Sequence, residues 1–325
     1  MKYLYTFVTL IFLAFLILLF SFFRQGRESV DNDYREAFEN KYSIFALPIP
    51  ENLTFAGEEV PLNYFDVREA LDQELLINTY WQSQTVLFIK RANRYFPRIE
   101  KVLQEKNGVP GDFKYLVLAE SDLKNSVSPA GAVGIWQLLK GTAGDYGLEV
   151  NNEVDERYHL EKSTQAAAEF LKDAYDLFGS WTMAAAAYNM GRTGLLRQVN
   201  RQKERNYYNL LLNTETARYI YRVLAIKLIL ENPEKYGFYL REKDYYHEIP
   251  TYTVKVDSSV SDFAAFANEF QINYKILKYF NPWLRDSFLT NPKSKEYAIE
   301  IPEQGYRNYS LIHDYNLADS SQIAE

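Results

Sequence analysis

The chain has 325 residues, of which 36 are basic and 43 acidic, giving a formal net charge of −7. Hydrophobic residues make up 47% and charged residues 24%, so most of the chain is suited to a buried core. The net acidity argues against a nucleic-acid partner, which ordinarily needs a basic surface. Because there is no cysteine, disulfides, thiol nucleophiles, Cys-bound metals and lipidated cysteines are all excluded.

The N-terminus begins with an uncharged run at residues 3–23, YLYTFVTLIFLAFLILLFSFF. At about 1.5 Å of rise per residue, such a helix crosses a hydrocarbon core of about 30 Å. A cleaved secretory signal has a shorter apolar run followed by small residues, which SFFRQGRES does not provide. We therefore predict an uncleaved signal anchor or transmembrane helix over residues 1–24, with a cleaved signal as the alternative. Basic residues flank both ends, so the positive-inside rule does not set the orientation.

The next two segments differ in pattern. Residues 25–52 are polar and irregular, which predicts a tether leaving the membrane. Residues 53–108 have a helical pattern, and Gly108 and Pro110 are predicted to end it. We expect this helical region to be an N-terminal extension of the domain that follows.

The middle of the chain, residues 109–243, is predicted to be mostly α. Helical patterns occur in DFKYLVLAES, STQAAAEFLKDAYDLFG, SWTMAAAAYNMG and TETARYIYRVLAIKLILENP. Ser163 is a candidate N-cap, and Gly179 and Gly191 are candidate helix ends.

The character of the sequence changes after about residue 245. IPTYTVKV and EYAIEIP alternate apolar and polar side chains, as half-buried strands do. Two short helical patterns, VSDFAAFANEF and NYKILKYFN, lie between them. We predict a small βααβ domain over residues 248–303, followed by a flexible tail over residues 304–325.

Glu120 is the most informative single residue. On a helix, Phe113, Leu116, Val117 and Glu120 share one face, so the carboxylate continues an apolar stripe. Low polarity raises the pKa of a carboxyl group, and a raised pKa suits a general acid. A buried glutamate paired with a cation, or capping a neighbouring helix, is the structural alternative. Two interpretations are open for Trp136 as well: its ring stacks on a sugar, or it packs in the core.

The ordered motifs around Glu120 resemble lytic transglycosylases of the soluble-lytic-transglycosylase type. The matching segments are ES at 120–121, SPAGAVGIWQ, TA at 142–143, YGL, DER at 155–157, KST, AAAYNMG and TET at 214–216. The resemblance implies a mainly α, lysozyme-like catalytic domain over residues 109–243. It also implies a bacterial enzyme of the cell envelope, anchored in a membrane with its catalytic domain in the periplasm.

The resemblance also implies roles for individual residues. Glu120 matches the sole catalytic acid/base, and Ser121 and Gly134 are expected to support the site. Substrate-binding roles carry over to five further positions: Ser128, Gln137, Tyr188, Asn189 and Glu215. A charge at the N-terminus of the next helix is an equally acceptable role for Glu215. We expect no cofactor, and the scattered His159, His247 and His313 predict no metal site.

One carboxyl group is fewer than ordinary glycoside hydrolysis uses. The resemblance implies cleavage of the N-acetylmuramic acid–β-1,4–N-acetylglucosamine bond of peptidoglycan, with a 1,6-anhydro product and no consumption of water. The alternatives are a hydrolytic muramidase on the same fold and a non-catalytic peptidoglycan-binding scaffold. The segment YTVKV…NPWL…EYAIEIP resembles a LysM domain, which implies either glycan binding or simple packing on the catalytic domain.

Overall fold

A computed structural model describes residues 45–310, together with residues 32 and 312. The predicted signal anchor, most of the predicted tether and most of the predicted tail lie outside these residues. In the part that is described, no helix combines the length and apolarity needed to span a membrane. The described chain is mainly helical, as predicted, with one two-stranded sheet before the helices and another near the C-terminal end.

The end of the predicted tether belongs to the folded body. Residues 47–52 have no regular secondary structure, but Leu47 and Ile49 pack against the hydrophobic core. The hydroxyl of Tyr236 donates a hydrogen bond to the carbonyl of Pro48 over 3.5 Å.

A small hairpin occupies the start of the region that was predicted to be helical from residue 53. Strands β1 (Thr54–Phe55) and β2 (Glu58–Glu59) pair antiparallel. Ala56 and Gly57 between them have φ values of 52° and 81°. Two consecutive left-handed residues form the turn that best fits the twist of a two-residue hairpin. The helical prediction was therefore wrong for these six residues.

Helices account for most of residues 65–231. Their bounds are α1 (Phe65–Tyr80), α2 (Gln82–Glu100), α3 (Leu116–Ser121), α4 (Lys140–Asp145), α5 (Leu160–Phe178), α6 (Trp181–Met190), α7 (Arg192–Gln202) and α8 (Thr214–Glu231). A π-helical turn, Lys101–Lys106, follows α2, and a 3-10 turn, Gly111–Tyr115, precedes α3.

Most of the predicted helix ends are confirmed. Gly108 has a φ of 64° and follows the π-helical turn, while Gly179 and Gly191 directly follow α5 and α6. The predicted N-cap at Ser163 was wrong because α5 already begins at Leu160. The Ser163 hydroxyl instead donates to the carbonyl of His159 over 2.7 Å, as serines inside a helix often do.

The helical core is fastened to the hairpin by charged groups. Lys227 of α8 is buried and donates to the carbonyl of Thr54 and to a carboxylate oxygen of Asp112, over 2.8 and 2.6 Å. The carboxylate of Glu58 accepts the backbone N–H groups of Trp181 and Thr182 over 2.6 and 2.9 Å. It therefore satisfies donors at the N-terminus of α6, where a negative charge is favourable.

The C-terminal part has the predicted βααβ order. Its elements are β3 (Thr251–Val256), α9 (Phe263–Glu269), α10 (Tyr274–Phe280) and β4 (Tyr297–Pro302). The two strands pair antiparallel along their full length, with Thr251 opposite Pro302 and Val256 opposite Tyr297. Phe263, Ala267, Leu277, Ile299 and Ile301 are buried in the core of this part.

Candidate active site

Glu120 lies in the last turn of α3, where the apolar stripe reaches the surface. Phe113, Leu116 and Val117 of that stripe are fully buried, whereas Glu120 is half-buried. The helix ends immediately afterwards, because Asp122 adopts a left-handed conformation with a φ of 59°. The carboxyl group therefore combines a low-polarity environment with access from outside.

A tyrosine from α8 holds the carboxyl group of Glu120. The Tyr219 hydroxyl donates to Oε1 of Glu120 over 2.5 Å. Burial raises the pKa of Glu120 to about 7, although the hydrogen bond from Tyr219 lowers it. The charge of Glu215 raises this pKa further, and the charge of Arg222 lowers it. A carboxyl group with a pKa near 7 can either donate or accept a proton near neutral pH.

Tyr188 and Tyr219 remain protonated phenols beside this carboxyl group. Burial first, and the charge of Glu120 second, raise the pKa of each phenol well above 10. Tyr188 donates its hydrogen to the carbonyl of Trp136 over 2.6 Å, and its ring makes an edge contact with Phe170.

Ser121 links α3 to the loop that follows. Its hydroxyl lies 2.7 Å from the carbonyl of Ile135 and 3.1 Å from the carbonyl of Val117. One hydroxyl hydrogen serves both acceptors, and the shorter contact is the one that crosses between elements. Ser121 therefore fixes the end of α3, and with it Glu120, against residues 131–138, which we call the active-site loop.

The turn that leads into the active-site loop contains Ser128. Ser128 and Ala132 are joined by two hydrogen bonds: the Ser128 N–H donates to the Ala132 carbonyl over 2.9 Å, and the Ala132 N–H donates to Ser128 Oγ over 3.0 Å. Oγ thus already accepts one bond, which leaves its own hydrogen for another acceptor. Ser128 is half-buried.

Gln137 and Gly134 shape the loop itself. Gln137 has a φ of 49°, and its amide nitrogen donates to the carbonyls of Gly134 and Ser126 over 2.7 and 3.1 Å. Gly134 has a φ of 84°, and a Cβ there would lie 2.1 Å from the carbonyl oxygen of Arg157. Both the backbone angle and the close approach therefore require glycine. Trp136 is fully buried and donates to Thr164 Oγ1 over 2.8 Å, so it is a core residue.

Asn189 and Glu215 lie at the edge of the same site. Asn189 accepts a hydrogen bond from Thr216 Oγ1 over 2.7 Å, and its amide lies 3.4 Å from Glu215 Oε1. Glu215 is exposed in the first turn of α8, where its charge suits the helix N-terminus. The charge of Glu215 also raises the pKa of Glu120. The structure is thus compatible with both interpretations of Glu215, an acid of the site and a charge at the N-terminus of a helix.

Sequence comparisons match two parts of the chain. Residues 98–211 match the profile described as the transglycosylase SLT domain, and residues 252–305 match the soluble lytic transglycosylase C-terminal LysM-like domain. The chain contains an SLT domain and a LysM-like domain. Every predicted site residue except Glu215 lies within the matched part of the SLT domain.

Two curated relatives cover most of this chain. Both are called membrane-bound lytic murein transglycosylase D, one from Escherichia coli strain K12 and one from Escherichia coli O6:H1 strain CFT073. Each is 28% identical over 244 residues, which is 72% of this chain and 52% of the relative. The chain thus spans about half the length of the curated relatives that it matches.

Two features around the candidate site were not predicted from the sequence. Tyr219 contacts the carboxyl group of Glu120. It follows Glu215 by four residues, so the two lie on one face of α8, and this spacing could have indicated that Tyr219 belongs to the site. Arg157, within the motif DER, is buried and donates to the carbonyls of Gly131 and Leu138, both over 3.3 Å. The motif was noticed, but its contact with the active-site loop was not predicted.

Proposed function

We propose that this protein is a peptidoglycan lytic transglycosylase, a lyase that cleaves the bond between N-acetylmuramic acid and N-acetylglucosamine without consuming water. The observation that carries the proposal is the half-buried carboxyl group of Glu120, whose pKa of about 7 is set chiefly by burial. The similarity of its surroundings to an SLT domain supports the choice of substrate.

The proton transfers follow from the contacts of Glu120. Because Tyr219 donates to Oε1, the acidic proton belongs on Oε2, from which it passes to the glycosidic oxygen. The bond between that oxygen and C1 of N-acetylmuramic acid breaks, and N-acetylglucosamine leaves with the proton as a free hydroxyl. The resulting carboxylate then takes the proton of the C6 hydroxyl of the same N-acetylmuramic acid, and O6 bonds to C1 to close the 1,6-anhydro ring. A pKa near the working pH serves both steps, since the group must be protonated first and ionised afterwards.

The remaining site residues are proposed to hold the sugar. Tyr188 gives its hydrogen to Trp136, so its oxygen can accept the N–H of the 2-acetamido group. Ser128 retains a hydroxyl hydrogen for the acetamido carbonyl. Gln137, Asn189 and Glu215 are proposed to contact sugar hydroxyls along the edge of the site.

We also propose that residues 1–24 anchor the protein in a membrane of the bacterial envelope, with the catalytic domain in the periplasm. The uncharged run at residues 3–23 supports this, as does the similarity to two relatives that are called membrane-bound. The proposed division of the chain has a tether that begins at residue 25 and ends before the packed segment 47–52, an extension over 53–108, the SLT domain over 109–243 and the LysM-like domain over 248–303. Detergent-phase partitioning of the full chain and of a chain lacking residues 1–24 tests the anchor, which requires only the full chain to partition into detergent.

Incubation of purified sacculi with the full-length protein tests the activity. Mass spectrometry of the released muropeptides should show 1,6-anhydro ends, which are lighter by one water than hydrolytic ends. The Glu120→Gln variant should lose about 10²- to 10⁴-fold in rate, the range that general acid–base catalysis contributes. Reducing ends would indicate a muramidase, and the absence of any product would leave a non-catalytic scaffold.

A further inference from the structure

The LysM-like domain shares a hydrophobic core with the segment that supports the active-site loop. Val133 of that loop, together with Val154 and Tyr158, is buried in the same cluster as Trp283 and Leu284. Arg285 also stacks on Tyr158, with its guanidinium carbon 4.1 Å from the ring centre. The apolar core of the LysM-like domain therefore extends directly into the SLT domain.

Backbone hydrogen bonds join the same two segments. The Asp155 N–H donates to the Trp283 carbonyl over 2.9 Å, and the Arg285 N–H donates to the Glu153 carbonyl over 2.7 Å. These bonds flank an antiparallel bridge between Val154 and Leu284. In antiparallel pairing of this kind the hydrogen bonds run perpendicular to the two segments and hold them at a defined spacing and register.

Charged side chains reinforce the contact on both sides of the bridge. Glu153 accepts hydrogen bonds from the backbone and the hydroxyl of Thr290, over 2.7 and 3.0 Å. Lys295 lies 2.5 Å from Glu149 and 3.2 Å from Glu156. Further along, Arg98 of α2 bridges two carboxylates, those of Glu161 and Glu300.

Arg157 connects this contact region to the active-site loop. Its guanidinium forms a two-point pair with Asp155, with N–O distances of 2.9 and 2.7 Å. The same guanidinium donates to the carbonyls of Gly131 and Leu138, which are the two ends of the loop. The planar, five-donor geometry of arginine allows one side chain to hold all three partners.

The loop in turn holds the groups around Glu120. The carbonyl of Ile135 accepts the Ser121 hydroxyl, and the carbonyl of Trp136 accepts the Tyr188 hydroxyl. A continuous series of contacts thus leads from the Trp283 carbonyl through Asp155, Arg157 and the loop to the residues beside the catalytic carboxyl group. The Trp283 side chain reaches the same loop through the buried cluster that contains Val133.

We propose that the LysM-like domain is an internal brace for the active site, and that Arg157 is the positioning residue through which it acts. The inference rests on the proposed function for its catalytic consequence. A brace must itself be held in shape. In the loops of the LysM-like domain, Val260 and Leu289 exchange two backbone hydrogen bonds of 2.8 Å, and the Phe263 N–H donates to the carbonyl of Ser287. The backbone of these loops is thus committed within the domain.

Hydrogen exchange of the full-length protein tests the brace independently of any activity. The amides of Val133, Gly134 and Leu138 donate within the loop region, over 3.0 to 3.1 Å. Trp283→Ala should speed exchange over residues 131–138 by about tenfold or more, while α6 is unchanged, because only local opening is favoured. Trp283→Phe should restore protection. Lys255→Met, which removes an exposed pair with Glu296, is the matched control within the same domain.

Kinetics on sacculi test the consequence for the reaction. Trp283→Ala should lower kcat about tenfold with little change in KM, because small misplacements of reacting groups are costly. Arg157→Lys should lower kcat as well. The double variant should lose less than the product of the two single losses, since the Trp283 side chain, through the buried cluster that contains Val133, and Arg157 both support the active-site loop. Lys255→Met should leave both constants unchanged.

The outcomes separate the brace from the proposed function. Unchanged loop exchange in a folded Trp283→Ala variant overturns the brace, whatever the enzyme produces. If Trp283→Ala does not fold, Glu153→Ala takes its place, because its side chain contacts Thr290 at the same junction. Faster loop exchange without any anhydro product in the wild type would support the brace and overturn the proposed function instead. Strictly multiplicative kcat losses in the double variant would remove Arg157 from the brace.

Discussion

Within the SLT domain, Asp155 is buried and Glu120 is half-buried, and the two acids also differ in their partners. Asp155 faces the guanidinium of Arg157 at two points, so its charge is compensated where it lies. Glu120 accepts a hydrogen bond from a neutral phenol, and Arg222 affects it only through its charge. The difference shows how the partner decides the use of an acid. An acid paired with a cation stabilises the structure, whereas an acid that faces only a neutral hydrogen-bond donor can exchange a proton near pH 7.

Glu156, next to Asp155, extends the comparison. Burial alone would raise its pKa, but the hydrogen bond from the Glu149 backbone and the nearby Lys162 lower the pKa below the ordinary value. Two neighbouring acids in the segment that supports the loop are therefore held by cations or donors. The four predictions below test this contrast between the supporting segment and the site.

The largest effect is expected from Asp155→Asn. The change leaves the buried guanidinium of Arg157 without its counter-charge, which should cost about 3 to 5 kcal/mol of unfolding free energy. Urea unfolding of the full-length protein measures it. Asp173→Asn is the control, because Asp173 and Arg192 form an exposed pair over 2.9 Å that should contribute less than about 1 kcal/mol. Equal losses in both variants would contradict the contrast.

The same acid-to-amide change at Glu120 should have the opposite sign at alkaline pH. The folded-state pKa of about 7 lies above the ordinary 4.5. The contribution of Glu120 to the free energy of unfolding is therefore fully present below pH 4.5 and is lost as the pH rises through 7. Glu120→Gln avoids that cost, which amounts to about 3 kcal/mol at most. Melting curves at pH 4 and pH 8 should show stabilisation only at pH 8. Stabilisation of the same size at both values would show that ionisation is not the cause.

Much of the helical framework around these acids could be predicted from the sequence. The apolar stripe placed Glu120 on a core-facing helix, and Gly179 and Gly191 end helices because their positive φ values suit glycine. These signals are local, since they depend on residues within one or two turns. The βααβ order of the LysM-like domain was predicted for the same reason.

The unpredicted features depend on contacts between distant segments or on unusual local choices. Tyr219 meets Glu120 across 99 positions of sequence, so only the docking of α8 against α3 reveals the contact. Arg157 reaches the active-site loop through the fold rather than through its neighbours. The hairpin was missed because Ala56 occupies a left-handed position where asparagine, aspartate or glycine is usual.

Tyr219→Phe should move the pH dependence of the reaction upward. The phenol stabilises the ionised form of Glu120, so its loss raises the pKa of that carboxyl group. The alkaline decline of kcat/KM, which reports deprotonation of the general acid, should move to a higher pH by about one unit. This is the size expected for the loss of one hydrogen bond to a charge. A pH–rate profile on sacculi measures this decline. A downward shift would contradict the proposed role of Tyr219.

Glu215→Gln should move the same alkaline decline in the opposite direction and by less. The exposed charge of Glu215 raises the pKa of Glu120, so neutralising it lowers that pKa. Because solvent and salt screen exposed charges, a shift of a few tenths of a pH unit is expected at low ionic strength, and it should diminish in about 0.5 M salt. The matched comparison is Tyr219→Phe, whose upward shift should persist in salt, since it comes from a buried hydrogen bond. A Glu215→Gln shift that resists salt would mean that this acid acts on Glu120 by direct contact, which would bring the site closer to the two-carboxyl arrangement of a hydrolase.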